Sequence, residues 1–196
     1  MKIYPSLKKV VPADAFLSIV LVLTVIYIFY PGAMSVDSVN QWHEALHPEY
    51  ISNWYPPSMV YLWSILNKIT HGQQGMLIFH NAVYYASLYI LGRFFFSKTI
   101  HRAVFILFLG LFPPIFFMNG VIWKDVSMLA SLSMSIALLF TFETTRNKWL
   151  LMASFLFFFY GMSVRHNAIV CVVPYSVYLF STLIQGSAIK KIQESS

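Results

Sequence analysis

The chain has 196 residues, 58% apolar and 18% aromatic, with only 10% charged and a mean hydropathy of +0.66. Water-soluble domains carry about 25% charged residues, so a soluble fold and intrinsic disorder are both excluded and a polytopic membrane protein remains. The single cysteine, Cys171, excludes an intramolecular disulfide and a cysteine metal cluster, and the net charge of +6 is read as basic loops on one side of a membrane, with no nucleic acid as partner.

A span needs ~20 mostly apolar residues to cross ~30 Å of hydrocarbon. Runs without Asp, Glu, Lys or Arg predict six transmembrane helices over 14–31, 76–96, 102–118, 126–143, 148–163 and 168–185. The first is too long for the apolar core of a signal peptide and is followed by five more, so it is expected to be retained. The fourth and fifth are short and extend into their flanks. After the sixth the chain ends in a polar tail, Ile189–Ser196.

Two amphipathic segments lie between the first and second spans. Over 35–47, Val39, Trp42 and Leu46 share one face and Asp37, Gln41 and Glu44 the other, with Ser35 as cap and Pro48 as stop. Over 57–70, opened by Pro56-Pro57, the stripe Met59, Leu62, Trp63, Leu66 and Ile69 opposes Ser58, Ser64, Asn67 and Lys68. That helix is ~20 Å long, too short to span. Both are expected to lie on the outer membrane surface, apolar face to the lipid. The fold class is therefore an all-α polytopic membrane protein, a single transmembrane domain over 1–196.

The charges support that topology. With both termini in the cytoplasm, the inner segments carry Lys2, Lys8, Lys9, Arg93, Lys98, Arg102, Arg146, Lys148, Lys190 and Lys191, ten of the thirteen basic residues, which is the positive-inside pattern. The outer side keeps Lys68, Lys124 and Arg165. Three polar clusters then fall on that side: Asp37 after the first span, Lys124-Asp125 between the third and fourth, and Arg165-His166-Asn167 between the fifth and sixth. Ionisable groups next to hydrocarbon are costly unless paired or facing water, so these are candidate functional residues. The bland alternative is three solvated loops touching lipid headgroups.

The order of a span, Pro31-Gly32, Asp37, a surface helix, Tyr55-Pro56-Pro57, a second surface helix and another span resembles the front half of the GT-C superfamily, the multispan glycosyltransferases (RgtA-, ArnT- and protein-mannosyltransferase-like) that use polyprenyl-phosphate-linked sugars. The resemblance covers roughly residues 10–170, and members are usually about twice as long. It maps the family's essential first-loop acid onto Asp37 and its second acid onto Asp125. Tyr55 stands where many members have histidine, and Arg165-His166-Asn167 resembles a polar stretch of the RgtA-like branch. It implies an inner-membrane enzyme with an outward-facing site. Asp37 would be the general base on the acceptor hydroxyl, close to a helix start where amide dipoles favour an anion. Lys124, Arg165 and His166 would hold the donor phosphate, with Asn167 beside them. Asp125 would place the acceptor, pair with Lys124, or join Asp37 on a divalent cation such as Mg or Mn. Gln41, His43, Glu44 and Tyr55 are secondary substrate candidates. The implied partners are the bilayer, the lipid-linked sugar, a glycan or lipid acceptor in the cell envelope, and a partner membrane protein if the chain is a truncated or non-catalytic subunit. A small transporter or flippase is a further alternative, but it would place polar groups at midplane.

Elsewhere the structural readings come first. His43 and His47 have the i, i+4 spacing of a zinc pair, but no third ligand stands out. His80 and Asn81 are expected to make interhelical hydrogen bonds. Ser127, Ser131 and Ser135 recur as a packing seam, and Cys171 is a small apolar residue within the sixth span.

Overall fold

The computed structural model describes residues 12–52 and 54–194, with the backbone alone for 48, 166 and 185–194. The described chain is all-α apart from one two-residue strand pair. In order it forms α1 (Ala13–Phe29), β1 (Ala33–Met34), α2 (Val36–Leu46), a 3₁₀ turn (Pro48–Tyr50), α3 (Pro57–Thr70), α4 (Gln74–Phe95), α5 (Thr99–Gly110), α6 (Pro113–Met118), β2 (Val121–Ile122), α7 (Lys124–Thr145), α8 (Lys148–Val164), a second 3₁₀ turn (His166–Cys171) and α9 (Val172–Glu194). Two stretches among the described residues, Lys124–Thr145 and Asn167–Ile184, are long and apolar enough to cross a membrane.

The two amphipathic segments form α2 and α3 at the expected positions, α2 with Ser35 Oγ accepting from the Ser38 amide. Three expectations need correction. The run 102–118 is not one helix: it breaks at Leu111-Phe112 into α5 and α6. Pro113 and Pro114 cannot supply the amide hydrogens that the carbonyls of Leu109 and Gly110 would take in a continuous helix. The hydroxyls of Tyr84 and Tyr85 donate to those carbonyls instead, at 3.3 and 2.8 Å. The run 168–185 begins as a 3₁₀ turn because Pro174 likewise denies its amide to the preceding turn, and regular helix starts at Val172. Helix then continues to Glu194, through most of the segment read as a polar tail. Lys2, Lys8 and Lys9, part of the charge argument, lie outside the described residues.

The main core joins α1, α4, α5 and α7 through Leu21, Val25, Tyr85, Ile106 and Ala130. Helices α4 and α7 run parallel, with His80 beside Ser127 and Phe94 stacked on Phe140. Helix α8 runs antiparallel to α7, with Ser127 facing Tyr160 and Ser135 facing Ser154. The serine seam is buried as expected; Ser154 also meets the hydroxyl of Tyr175 on α9 at 2.7 Å. At one end Asp14, wholly buried, pairs with Arg102 at 3.3 Å, while Arg102 also donates to the carbonyls of Phe96 and Ser97. That clamp joins the starts of α1 and α5 to the end of α4.

At the opposite end a second core gathers Ala45, Met59, Trp63, Leu77, Ile122 and Val164 from α2, α3, α4, β2 and α8. Here β1 and β2 pair in parallel, Ala33 with Val121 and Met34 with Ile122. Entry to β1 depends on Gly32, whose φ of 107° is open to glycine and whose missing Cβ leaves room for the Ile122 side chain, which would otherwise lie 2.7 Å away. Gln73 Nε2 donates to the Gly32 carbonyl at 3.0 Å and fixes the turn to the start of α4.

Gly32→Ala should therefore lower stability by about 1–3 kcal/mol through positive-φ strain and displacement of Ile122, read from reversible unfolding in detergent. Tyr85→Phe, which leaves the Gly110 carbonyl unpaired in an apolar setting, should lower it by about 1–3 kcal/mol. An unchanged midpoint for Tyr85→Phe would show that the helix break does not need this hydroxyl.

Candidate functional site

The parallel strand pair sets the two following helices side by side. Asp37 enters in the first turn of α2 and Lys124 opens α7. Their side chains meet, Nζ to Oδ2, at 3.3 Å. Asp125, the next residue on α7, turns toward the end of α8 and accepts from Arg165 Nη1 at 2.5 Å. Adjacent helical residues point about 100° apart, so Lys124 and Asp125 serve different partners. The alternative in which Asp125 pairs with Lys124 is thus replaced by two cross-element bridges. The result is a line of alternating charge, Asp37, Lys124, Asp125, Arg165, carried by three separate stretches of sequence and partly exposed throughout.

The line is braced from beneath. Ser38 Oγ donates to the Ile122 carbonyl at 2.5 Å and locks α2 to β2. One turn into α7, Ser127 hydrogen-bonds the Nε2 of His80 and, at 3.2 Å, the hydroxyl of Tyr160. His80 is buried there, and Asn81 donates to the carbonyls of Leu77 and Asn119 at 2.8 and 3.0 Å. His80 thus makes the interhelical bond expected of it, while Asn81 bonds within α4 and to the turn after α6. The interleaved connection His80–Ser127–Tyr160 was not legible in the sequence, because the three residues lie on three helices and only the serine belonged to a visible pattern.

The remaining candidates divide. Gln41 and Glu44 lie on the buried face of α2 with Ser38 and Ala45, whereas Val36, Val39 and Leu46 are exposed. The part of the polar face that carries Gln41 and Glu44 is therefore turned toward the protein. Small Ser38 and Ala45 allow that close approach, and Ser38 gains its bond to β2. Glu44 Oε1 accepts from the amide and hydroxyl of Ser52, the latter at 2.7 Å. Among the described residues, Glu44 Oε2 and both amide atoms of Gln41 have no hydrogen-bond partner. Tyr55 accepts from Asn40 Nδ2 at 2.8 Å, which ties the loop before α3 to α2. His43 stacks on Tyr50 and lies 4.9 Å, ring to ring, from His47, which pairs with Glu49 at 3.5 Å. Asn167 is exposed on the second 3₁₀ turn; the side chain of His166 lies outside the described residues.

Among the described residues no group of three or more His, Cys, Asp and Glu is placed to hold a metal ion. Asp37 and Asp125 each face their own cation, a donor set that does not fit Mg or Mn, which want six oxygen ligands or so. Comparison of the chain with protein-family models, curated proteins and solved structures finds no match.

The two bridges should differ in strength. Arg165–Asp125 is shorter and less exposed than Lys124–Asp37, whose carboxylate side chain is 46% exposed. A double-mutant cycle over Asp125→Ala and Arg165→Ala should return a coupling near 1 kcal/mol, and one over Asp37→Ala and Lys124→Ala a few tenths at most. Equal couplings would remove the ranking.

Proposed function

We propose that the chain is a membrane glycosyltransferase of the GT-C type, transferring a sugar from a polyprenyl-phosphate donor to a hydroxyl of a cell-envelope acceptor. The observation that carries this reading is the alternating line Asp37–Lys124–Asp125–Arg165 at one end of an apolar bundle. In this reading α1, α4, the broken α5–α6 pair, α7, α8 and α9 cross the cytoplasmic membrane, both termini are cytoplasmic, and the line faces outward. Exposed Phe16, Leu23, Phe108, Leu156, Phe159 and Phe180 on four of these helices support lipid contact. So does the concentration of Arg93, Lys98, Arg102, Arg146 and Lys148 at the opposite end.

The paired charges suggest how substrate would engage. A donor phosphate competes with Asp37 for Lys124 and with Asp125 for Arg165, since an ammonium and a guanidinium both favour the more highly charged anion. Release from Lys124 leaves the Asp37 carboxylate able to accept a proton. The acceptor oxygen then bonds to the sugar's anomeric carbon as the bond from that carbon to the phosphate oxygen breaks. The hydroxyl proton passes to Asp37, and polyprenyl phosphate leaves with its charge held by Lys124 and Arg165. Positioned bases of this kind contribute about 10²–10⁴-fold.

A non-catalytic subunit that binds a lipid-linked glycan for a partner is favoured by the same pairing if the bridges only fasten loops together. One experiment separates the two. Purified protein with a labelled polyprenyl-phosphate sugar and an acceptor lipid should form product with no other chain present. Asp37→Asn, folded as judged by its unfolding midpoint, should lose at least about 10²-fold in rate. Product at the wild-type rate from Asp37→Asn would overturn the assigned base, and no product from the wild type would select the subunit.

A further inference from the structure

Helix α8 carries an open apolar groove on the side that the bundle leaves uncovered. Lys148, Met152, Phe155, Phe159 and Met162 recur every three or four residues and so share one face. They line a groove of about 860 Å³ whose walls, among the described residues, come from α8 alone. Phe155 and Phe159 are exposed there. On the flank toward α9, Phe158 also lines the groove and stacks on Tyr175, ring centroids 3.9 Å apart. The face that packs on α7 is a different one, with Ser154 and Gly161 buried.

One end of this groove is cationic where helix physics disfavours a cation. Lys148 opens α8, and the first turn holds no acidic residue. Unpaired amides make that end of a helix positive, so an anion stabilises it and a lysine does not. The ion pairs among the described residues use His47, Arg102, Lys124 and Arg165, and Lys148 takes part in none of them. A lysine and a helix N-terminus at the mouth of an apolar groove are complementary to an anion with an apolar tail. Trp149, 72% exposed beside them, suits the level of lipid headgroups. From Lys148 to Met162 the groove follows the helix for ~21 Å. Half of the hydrocarbon layer is ~15 Å deep, so an acyl chain has wall along its whole leaflet.

A second copy of the chain fits this face less well. Membrane helices that pack on each other place small residues at the contact, whereas this stripe holds only Phe, Met and Lys. In a twofold pair about the membrane normal the face would meet itself, setting Lys148 against Lys148. A free anion would gain nothing from the phenylalanines, while unbranched methionines adapt to a mobile chain. We infer that α8 binds an anionic phospholipid, its headgroup on Lys148 and one acyl chain along the groove. The bridge from Arg165 to Asp125 lies at the other end of α8, so this lipid is not the proposed sugar donor. Placing it in the cytoplasmic leaflet rests on the topology given under the proposed function.

The test uses the full chain released from nanodiscs that hold phosphatidylcholine and phosphatidylglycerol in equal amounts, with retained lipids counted by native mass spectrometry. The wild type should keep phosphatidylglycerol over phosphatidylcholine by about fivefold, the ratio one lysine gives at an anionic headgroup. Lys148→Gln should bring the ratio near one, and Lys148→Arg should preserve it. Lys98→Gln, at another exposed cation of the same end, should leave it unchanged. Met152→Trp, which fills the groove, should lower retention of both lipids while the unfolding midpoint stays near that of the wild type. The inference is overturned by a ratio near one in the wild type, an unchanged ratio in Lys148→Gln, or full retention in Met152→Trp. An equal fall in Lys98→Gln, the mark of diffuse attraction, overturns it as well, and so does a dimer that Met152→Trp dissociates without loss of lipid. The leaflet is read separately. Lys148→Cys in a Cys171→Ser chain should resist an impermeant thiol reagent added to intact cells. Labelling there would sink the topology alone, since lipid retention is counted whichever side Lys148 faces.

Discussion

A parallel pairing of two residues with two, Ala33–Met34 against Val121–Ile122, sets the geometry of the whole charged end. Each strand runs directly into a helix, so the pairing brings two helix N-termini together. Unpaired amides at such ends carry partial positive charge, and two of them side by side repel unless anions lie close. Asp37 and Asp125 sit in the two first turns and supply that charge; Lys124 and Arg165 then bridge outward from them. The bridges are individually weak at this exposure. Their arrangement follows from the backbone, which is held by Gly32, by Gln73 and by Ser38.

Inside the bundle a different constraint operates. Apolar surroundings offer no water to a backbone carbonyl that has lost its helical partner. Pro113 and Pro114 create two such carbonyls, and two consecutive tyrosines of α4 answer them. Asn81 does the same for the carbonyl of Asn119, just before β2. The prolines end α5, and the tyrosines and asparagine make that break tolerable, so β2 arrives where β1 can meet it. Helix break, strand pair and charged line form one causal sequence.

Much of this was legible from residues alone. Long uncharged runs placed α1, α4, α7 and α8 to within a few residues, because hydrophobic length and flanking charge are local properties. Ser35 and Pro57 marked the starts of α2 and α3 for equally local reasons. The run over 102–118 misled because composition is blind to a missing amide hydrogen unless the proline pair is weighed above hydropathy. Amphipathicity identified the two faces of α2 without showing that Gln41 and Glu44 would pack on protein.

The sequence by itself determined an all-helical, strongly apolar chain and the short list of charged residues that such a chain cannot carry at random. Composition, run length and proline position are read along one dimension, and they suffice for that. The tertiary structure alone decided which acid faces which base, that His80 meets Ser127 and Tyr160, and that Gln41 and Glu44 turn inward. Those choices depend on contacts between residues 33 to 87 positions apart. The order in which helices pack and the direction each face turns fix such contacts, and neither is written in any local pattern.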